Sequence, residues 1–349
     1  MKQHSDALII GFGKAGKTLA VALAKAGTQV TLVEQSPQMY GGTCINVACI
    51  PTKTLVSAAA AGQSIDQAFM RKEAVVSKLN SKNYHMLADN PGVTVIDGTA
   101  SFVDAHTVRI TGGEDELLVT ADKIFINTGS TPLIPDIPGI QHTQRVYTSA
   151  EMLRGAMQSQ RLAIIGGGYI GLEFASTYAT LGVAVTVYHR GHTVLPQEEP
   201  EVVAAAVAAL QAQQVTLRYQ SAIQLISDTE HGVALRDQGG EQEFDAVLLA
   251  TGRQPNTATL NLAAAGVNTD ERGAIVVSDT LQTSQPHIWA LGDVNGGPQF
   301  TYVSLDDFRI IKSQLLGDGQ YTRAQRYALP LAIFMQTPLA RVGLTEAAA

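Results

Sequence analysis

The chain has 349 residues, length enough for two or three domains with cores of their own, and a formal net charge of −7. That acidic balance, with charged residues at only 16%, argues against nucleic acid or an anionic membrane surface as partner. Two cysteines are too few for a secreted disulfide scaffold.

The N-terminal MKQHSDALIIGFG holds only a short apolar run before glycine interrupts it, so it is not a signal peptide. ALII (7–10) reads as a buried strand. GFGKAG follows, then an alanine-rich helix to about Ala26 that Gly27 ends, then a second strand, QVTLVE. Gly11, Gly13 and Gly16 fit G-x-G-x-x-G between strand and helix. There the backbone can approach a pyrophosphate at the positive helix N-terminus. Glu34 closes the second strand, where a carboxylate accepts hydrogen bonds from a ribose diol.

The segment GGTCINVACIPTK (41–53) carries both cysteines, Cys44 and Cys49, five positions apart. In a regular helix such residues lie about 8–9 Å apart, whereas a disulfide needs Cα atoms within about 4.4–6.8 Å. A bridge here needs a distorted turn, and strained bridges are the easily reduced ones. By spacing alone, two buried apolar cysteines and a metal pair remain open. Two ligands do not complete a metal site, however, and no nearby His or Cys joins them, so no metal is expected. In a reducing compartment the pair favours catalysis, redox sensing or metal binding over bracing.

Residues 93–119 hold short alternating segments (VTVIDG, SFVD, HTVRI, ELLVTA) that predict a small antiparallel sheet. EMLRGAMQSQ (151–160) reads as a polar helix and linker. The opening unit then recurs: LAII (162–165) is a strand, GGGYIG supplies Gly166, Gly168 and Gly171, a helix runs to about Leu181, and VAVTVYH is the next strand. Gly11 precedes Glu34 by 23 positions, as Gly166 precedes His189. One G-x-G-x-x-G is weak; two in matching strand–turn–helix–strand contexts are specific. They imply two dinucleotides, a tightly held flavin (FAD) and a diffusible nicotinamide. The copies differ at their last position. Glu34 suits a free ribose 2′-hydroxyl. His189 and Arg190 replace it with cations that would pair with a 2′-phosphate, which predicts NADPH over NADH. The stretch 162–188 is the most apolar, but its five glycines and Glu173 make it a poor membrane span. VVAAAVAALQAQQ (202–214) is a further helix. A cytoplasmic location without membrane partners is expected.

The expected fold class is α/β, with two Rossmann-like dinucleotide-binding domains built on parallel sheets, one inserted in the other. Residues 1–150 and 269–328 form the FAD domain and 151–268 the NAD(P) domain. Residues 329–349 follow as a separate segment.

Together these segments resemble the class I pyridine nucleotide–disulfide oxidoreductases, the family of lipoamide dehydrogenase, glutathione reductase and mercuric reductase. INTGS (126–130), ATGRQPN (250–256), IWALGDV (288–294) and the closing PLARVGLTE add to the match. GFGKAGKTLA, MYGGTCIN and QFTYVSLDDFRI are most similar to the reactive-chlorine-resistance flavoprotein branch. The resemblance implies electrons passing from NAD(P)H through FAD to a Cys44–Cys49 redox disulfide, and on to a disulfide, metal-ion or other small acceptor. Cys44 matches the interchange thiol and Cys49 the charge-transfer thiol. Lys53 matches the lysine near flavin N5, and Glu173 its ion-pair partner. Gly42, Thr43, Thr128, Gly129 and Asp293 match FAD contacts. Tyr169 matches the cover of the nicotinamide pocket, and Gly252 a further nucleotide contact. The alternative is a flavin-bound redox sensor, or an NAD(P)H oxidase or quinone reductase in which the cysteines are off the main path.

Two residues depart from the family pattern. Ala48 stands where glycine is usual, a cost of about 1 kcal/mol if the position needs φ > 0. Thr52 replaces serine and keeps the hydroxyl. In the family, PLARVGLTE opens a third domain that forms the homodimer and carries a His-Pro motif whose histidine serves the partner's interchange thiol, which implies that residues 329–349 are the start of a dimerisation domain. None of the eight histidines here has that context; His287, preceded by Pro286, reads as core or surface. Three explanations compete: a truncated chain, a naturally short one served by another chain, or an acceptor needing no acid–base at the thiols. Leu331, Ile333, Phe334 and Val342 are expected to be exposed together and to drive self-association.

Overall fold

The run ALII forms the end of a longer strand in the computed structural model, which describes residues 2–112, 116–155 and 159–349. In chain order come β1 (Lys2–Ile10), α1 (Lys14–Lys25), β2 (Val30–Glu34), α2 (Thr43–Asn46), α3 (Cys49–Ala60), α4 (Ile65–Ala88), β3 (Val93–Asp97), β4 (Thr99–Phe102), β5 (Thr107–Thr111) and β6 (Leu117–Ile126). Next are β7 (Ser130–Pro132), β8 (Val146–Thr148), α5 (Ser149–Arg154), β9 (Arg161–Ile165), α6 (Tyr169–Thr180), β10 (Ala184–Tyr188), α7 (Pro200–Ala212) and β11 (Thr216–Arg218). The chain closes with β12 (Leu225–Asp228), β13 (Val233–Asp237), β14 (Gly240–Phe244), β15 (Ala246–Leu249), β16 (Arg253–Pro255), β17 (Ile288–Ala290), α8 (Thr301–Leu316), β18 (Pro330–Ile333) and β19 (Leu339–Val342).

These elements divide into two compact units. One holds Met1–Asn46, Val76–Thr131 and Gln254–Arg326; the other holds Val47–Val75, Pro132–Arg253 and Tyr327–Ala349. The first unit is built on one sheet of order β3-β2-β1-β6-β5-β4, with β17 also paired to β6. β1 runs parallel to both β2 and β6 (Ala7 opposite Val30 and Lys123). A strand covered on both faces reads as a continuous apolar run, because successive side chains point to opposite sides. Accordingly Leu8 and Ile10 pack with Ile124, Ile126, Leu260 and Ile288, whereas Ala7 and Ile9 pack with Leu19, Leu23, Ile310 and Ile311 of α1 and α8.

Two features of this unit differ from the sequence reading. β4, β5 and β6 are antiparallel as expected (Thr99 opposite Thr111, Val108 opposite Val119). VTVIDG, however, joins the parallel part: β3 pairs with β2, Val93 opposite Val30. Residues 254–268, expected with the NAD(P) domain, belong to the first unit, because Leu260, Leu262, Ala265 and Val267 are buried in the core around β1 and β6.

The second unit repeats the plan in a parallel sheet of order β11-β10-β9-β15-β8, with β12-β13-β14 as a separate antiparallel sheet. Residues 47–75 belong here; the Lys72 ammonium donates to the Leu153 carbonyl at 2.7 Å. The helix expected at 151–160 starts at Ser149 behind a Thr148–Glu151 capping box and stops at Arg154. Residues 156–158 of that segment lie outside the described residues. The β18–β19 hairpin corrects another expectation. Leu331 and Ile333 are buried, because alternate residues of β18 point inward and the turn after it docks on α6, where Ser176 Oγ accepts the Gln336 N–H at 2.8 Å. Phe334 and Val342 remain exposed. No helix among the described residues is long and apolar enough to cross a membrane.

Candidate functional site

Both glycine turns cross the end of a neighbouring strand at the same kind of close approach. Gly11 has φ +103°, and a Cβ there would lie 2.4 Å from the Asn127 carbonyl oxygen after β6. Gly166 has φ +123°, and its Cβ would lie 2.2 Å from the Ala250 carbonyl oxygen after β15. Only glycine fits either place. The third glycines close the turns: a Cβ on Gly16 or Gly171 would strike the Gly11 or Gly166 carbonyl oxygen. α1 starts at Gly13 and α6 at Gly168 with no side-chain cap and no acidic residue in the first turn. A helix N-terminus without a side-chain cap suits an anion, as at α6; at α1 the Ala15 and Gly16 N–H groups are already taken by Ser304 and Asn127.

In the first unit, Glu34 ends β2 with its carboxylate accepting the N–H groups of Phe12 (2.9 Å) and Ser36 (3.2 Å). Burial pushes its carboxyl above the usual range. Asp293 sits on the 3-10 turn Gly292–Asn295 and accepts the Ser130 hydroxyl at 2.8 Å. Thr128 Oγ1 donates to the Asn256 carbonyl at 2.8 Å, and Gly129 accepts the Asn256 N–H. Thr43 lies beside Gly129, and Gly42 presses on Gly13, where a Cβ on Gly42 would come within 2.7 Å of Cα. A buried carboxylate at the strand end, a glycine turn in close approach to the neighbouring strand end and a second carboxylate form a set of groups that fits a flavin dinucleotide.

Four residues missed in the sequence hold this arrangement. Asn127 is buried and spans the unit: Oδ1 accepts the Gly16 N–H at 2.8 Å, and Nδ2 donates to the Leu291 carbonyl at 2.6 Å. Ser304 accepts the Ala15 N–H at 3.2 Å. Asp307, fully buried, accepts the Gly292 N–H at 2.7 Å and pairs with Arg326 at 2.5 Å. Asn127 and Asp307 fall inside INTGS and QFTYVSLDDFRI, so the motifs flagged their segments but not their roles.

Cys44 is half-buried on α2. Asn46 secures that turn, donating to the carbonyls of Tyr40 (3.0 Å) and Gly42 (2.9 Å) and accepting from Asn80. In the second unit, Cys49 is the first residue of α3, where the positive helix end favours a thiolate. Ala48 caps that helix at φ −148°, outside the left-handed region, so alanine carries no left-handed penalty here. Thr52 bonds back to the Ala48 carbonyl. One turn on, Lys53 meets Glu173 at 2.5 Å. The Glu173 carboxylate also accepts the Phe334 N–H at 3.0 Å, and the Lys53 ammonium lies 4.7 Å from the Phe334 ring centroid.

Tyr169 opens α6 and donates to Glu198 at 2.7 Å; Arg341 holds the same carboxylate at 2.9 Å. Burial and Glu198 push the Tyr169 phenol up to about 12. His189 departs from the sequence reading. Its Nδ1 lies 3.3 Å from the Gly167 N–H as acceptor, and burial pushes its pKa down. Both favour the uncharged ring, and the side chain braces the second turn. Arg190 beside it is exposed. Arg218 reaches the end of the neighbouring strand, opposite Tyr188 and 5.5 Å from that ring's centroid. Gly252 follows β15 and accepts the Leu133 N–H at 3.0 Å. His287 stacks on His106 at 3.9 Å and contacts the Ala105 carbonyl, a structural role.

The sequence profile described as pyridine nucleotide-disulphide oxidoreductase matches residues 5–307. The chain is 48% identical over 341 residues to the probable pyridine nucleotide-disulfide oxidoreductase RclA of Escherichia coli (strain K12), covering 98% of this chain and 77% of that protein. It is 34% identical to a mercuric reductase of Staphylococcus aureus, covering 98% of this chain and 65% of the reductase. Among solved structures, the Cu(II) complex of the HOCl-induced flavoprotein disulfide reductase RclA from Escherichia coli superposes with a TM-score of 0.97 at 47% identity, over 99% of this chain and 78% of that one.

Proposed function

The chain belongs to the pyridine nucleotide-disulphide oxidoreductase family, and from that premise we propose how its residues divide the work of an FAD-containing, NAD(P)H-dependent oxidoreductase. FAD, when bound, supplies the two-electron chemistry between nicotinamide and disulfide. The first unit binds it through the Gly11–Gly16 turn, Glu34 and Asp293. The second unit binds the nicotinamide nucleotide through the Gly166–Gly171 turn, with Tyr169 at its edge.

Opening a Cys44–Cys49 disulfide takes two electrons and leaves two sulfur anions to be stabilised. Cys49 is served by the α3 N-terminus and by the charge of Lys53, which Glu173 holds in place. Cys44 carries the electrons outward. The observation that carries this reading is the 2.5 Å Lys53–Glu173 pair one turn past Cys49. It is tested in the Cys49→Ser protein. NADPH should still bleach the flavin, but the long-wavelength thiolate–flavin band should be gone, and anaerobic titration should take up two electrons where the wild type takes up four. A persisting band would reverse the assignment of the two thiols.

The acceptor is proposed to be a small disulfide or a metal ion. Relatives named for mercury reduction and a relative solved with Cu(II) support the metal reading. For the nicotinamide nucleotide we favour NADPH. With His189 neutral, Arg190 and Arg218 at the ends of adjacent parallel strands are the cations that would pair with a 2′-phosphate. Arg190→Ala should lower kcat/KM for NADPH about tenfold and leave NADH nearly unchanged; equal loss with both nucleotides sinks this preference.

A further inference from the structure

Lys17, on α1 within the first unit, is 5% exposed. Its ammonium donates to the Gly41 carbonyl at 3.2 Å and to Asn83 Oδ1 at 2.5 Å, both uncharged acceptors. Among the described residues no carboxylate pairs with it. A buried ammonium with only neutral acceptors is held at a cost, which a nearby anion relieves. Gly41 lies three residues before Cys44, and Gly42 is pressed against Gly13 at the start of α1, so the turn that leads into α2 and Cys44 packs against the start of the helix that carries Lys17. Lys17 also forms part of the wall of a cavity of about 720 Å³ between α1, α2, α4 and α8. Lys14, Lys25, Lys82 and Lys312 line the same cavity, no Asp or Glu does, and Ile45, the neighbour of Cys44, lines one side. Half of the chain's ten lysines thus face one cavity in a protein of net charge −7.

We propose that Lys17 is a positioning residue for the outer thiol: its buried ammonium, backed by the lysine-lined cavity, holds Cys44 as a thiolate at neutral pH. Burial and Lys14 push the Lys17 pKa down to about 8, and the Cys44 sulfur pulls the other way. A cation near a thiol lowers the thiol's pKa. The sign follows. Lys17 is charged below about pH 8, so its help to the thiolate is present there and fades as the ammonium loses its proton. The other ionisable groups around it, Lys14 and Lys25 on α1, Lys82 on α4 and Lys312 on α8, all add positive potential. The consequence for turnover rests on Cys44 being the outer thiol, but the thiol's titration reads the electrostatics directly, whichever way electrons leave.

The test uses flavin-loaded Cys49→Ser protein, in which Cys44 is the only cysteine. Its alkylation by iodoacetamide is followed by intact mass from acid to alkaline pH. The apparent pKa should fall below the free-thiol value of about 8.5. Lys17→Met should raise it by about one unit, slowing alkylation at neutral pH up to about tenfold, and Lys17→Arg should keep it low. Replacing Lys82 and Lys312 by Gln should lower the rate with anionic iodoacetate relative to neutral iodoacetamide. Superimposable pH profiles for Lys17 and Lys17→Met overturn the proposal. So does an apparent pKa at or above about 8.5 with Lys17 in place, whether or not the Met variant folds.

Discussion

Glu34 shows how a binding residue is kept at a cost to the fold. Its carboxylate is buried at the end of β2 with two backbone N–H donors, and burial still raises its pKa. A carboxyl whose folded pKa lies above its unfolded value contributes stability at low pH and loses it as pH rises through that window. At neutral pH the ionised group therefore weighs against the fold unless further donors reach it, and ribose hydroxyls are such donors. Glu34→Gln should leave the flavin-free protein equal or higher in Tm and weaken FAD binding about tenfold. A lower Tm together with unchanged FAD affinity would count against that role. His189 belongs to the same scale. From the sequence it was a cation by its neighbour Arg190 and its place after the second strand, but whether imidazole is charged depends on burial and on the Gly167 N–H, neither of which is encoded locally.

At the scale of elements, the repeated strand–turn–helix–strand could be read because every determinant is local: apolar runs for β1 and β9, glycines at the turns, a helical run after each, and a polar residue at each second strand's end. The structure extends the repeat into long-range contact, since Gly11 and Gly166 each abut the carbonyl that follows a neighbouring strand distant in sequence. Gly168 is different, with φ −88° and no heavy atom within 4 Å of an added Cβ. Gly168→Ala should therefore leave Tm and bound FAD unchanged while raising KM for the nicotinamide nucleotide at least about tenfold, because the new methyl stands where an anion approaches the α6 N-terminus. Equal KM values in steady-state kinetics would show that this turn does not hold the pyrophosphate. The errors at this scale have one cause. VTVIDG alternates like the antiparallel strands that follow it, yet β3 pairs parallel to β2 at the sheet edge, and strand partnership is a long-range property.

For the whole molecule, the hairpin that closes the chain decides how the protein presents itself. Leu331 and Ile333 are inside, but Tyr327, Phe334, Val342 and Leu344 are exposed, from 39% to 82%. A set of exposed apolar side chains on one short hairpin segment favours self-association. Sedimentation should show a concentration-dependent dimer, and Val342→Lys with Leu344→Lys should shift it to monomer without loss of flavin; a monomer at every concentration would rule this surface out. The sequence by itself determined the α/β class, the two dinucleotide turns, the redox segment and the pairing of Lys53 with Glu173 as a family expectation, because short motifs and periodicity carry them. Only the tertiary structure decided the neutrality of His189, the inward turn of Leu331 and Ile333, the bracing by Asn127 and Asp307, and the burial of Lys17 against the Cys44 turn. Each of these depends on side chains brought together from distant parts of the chain, where burial and the loss of water set charge and packing.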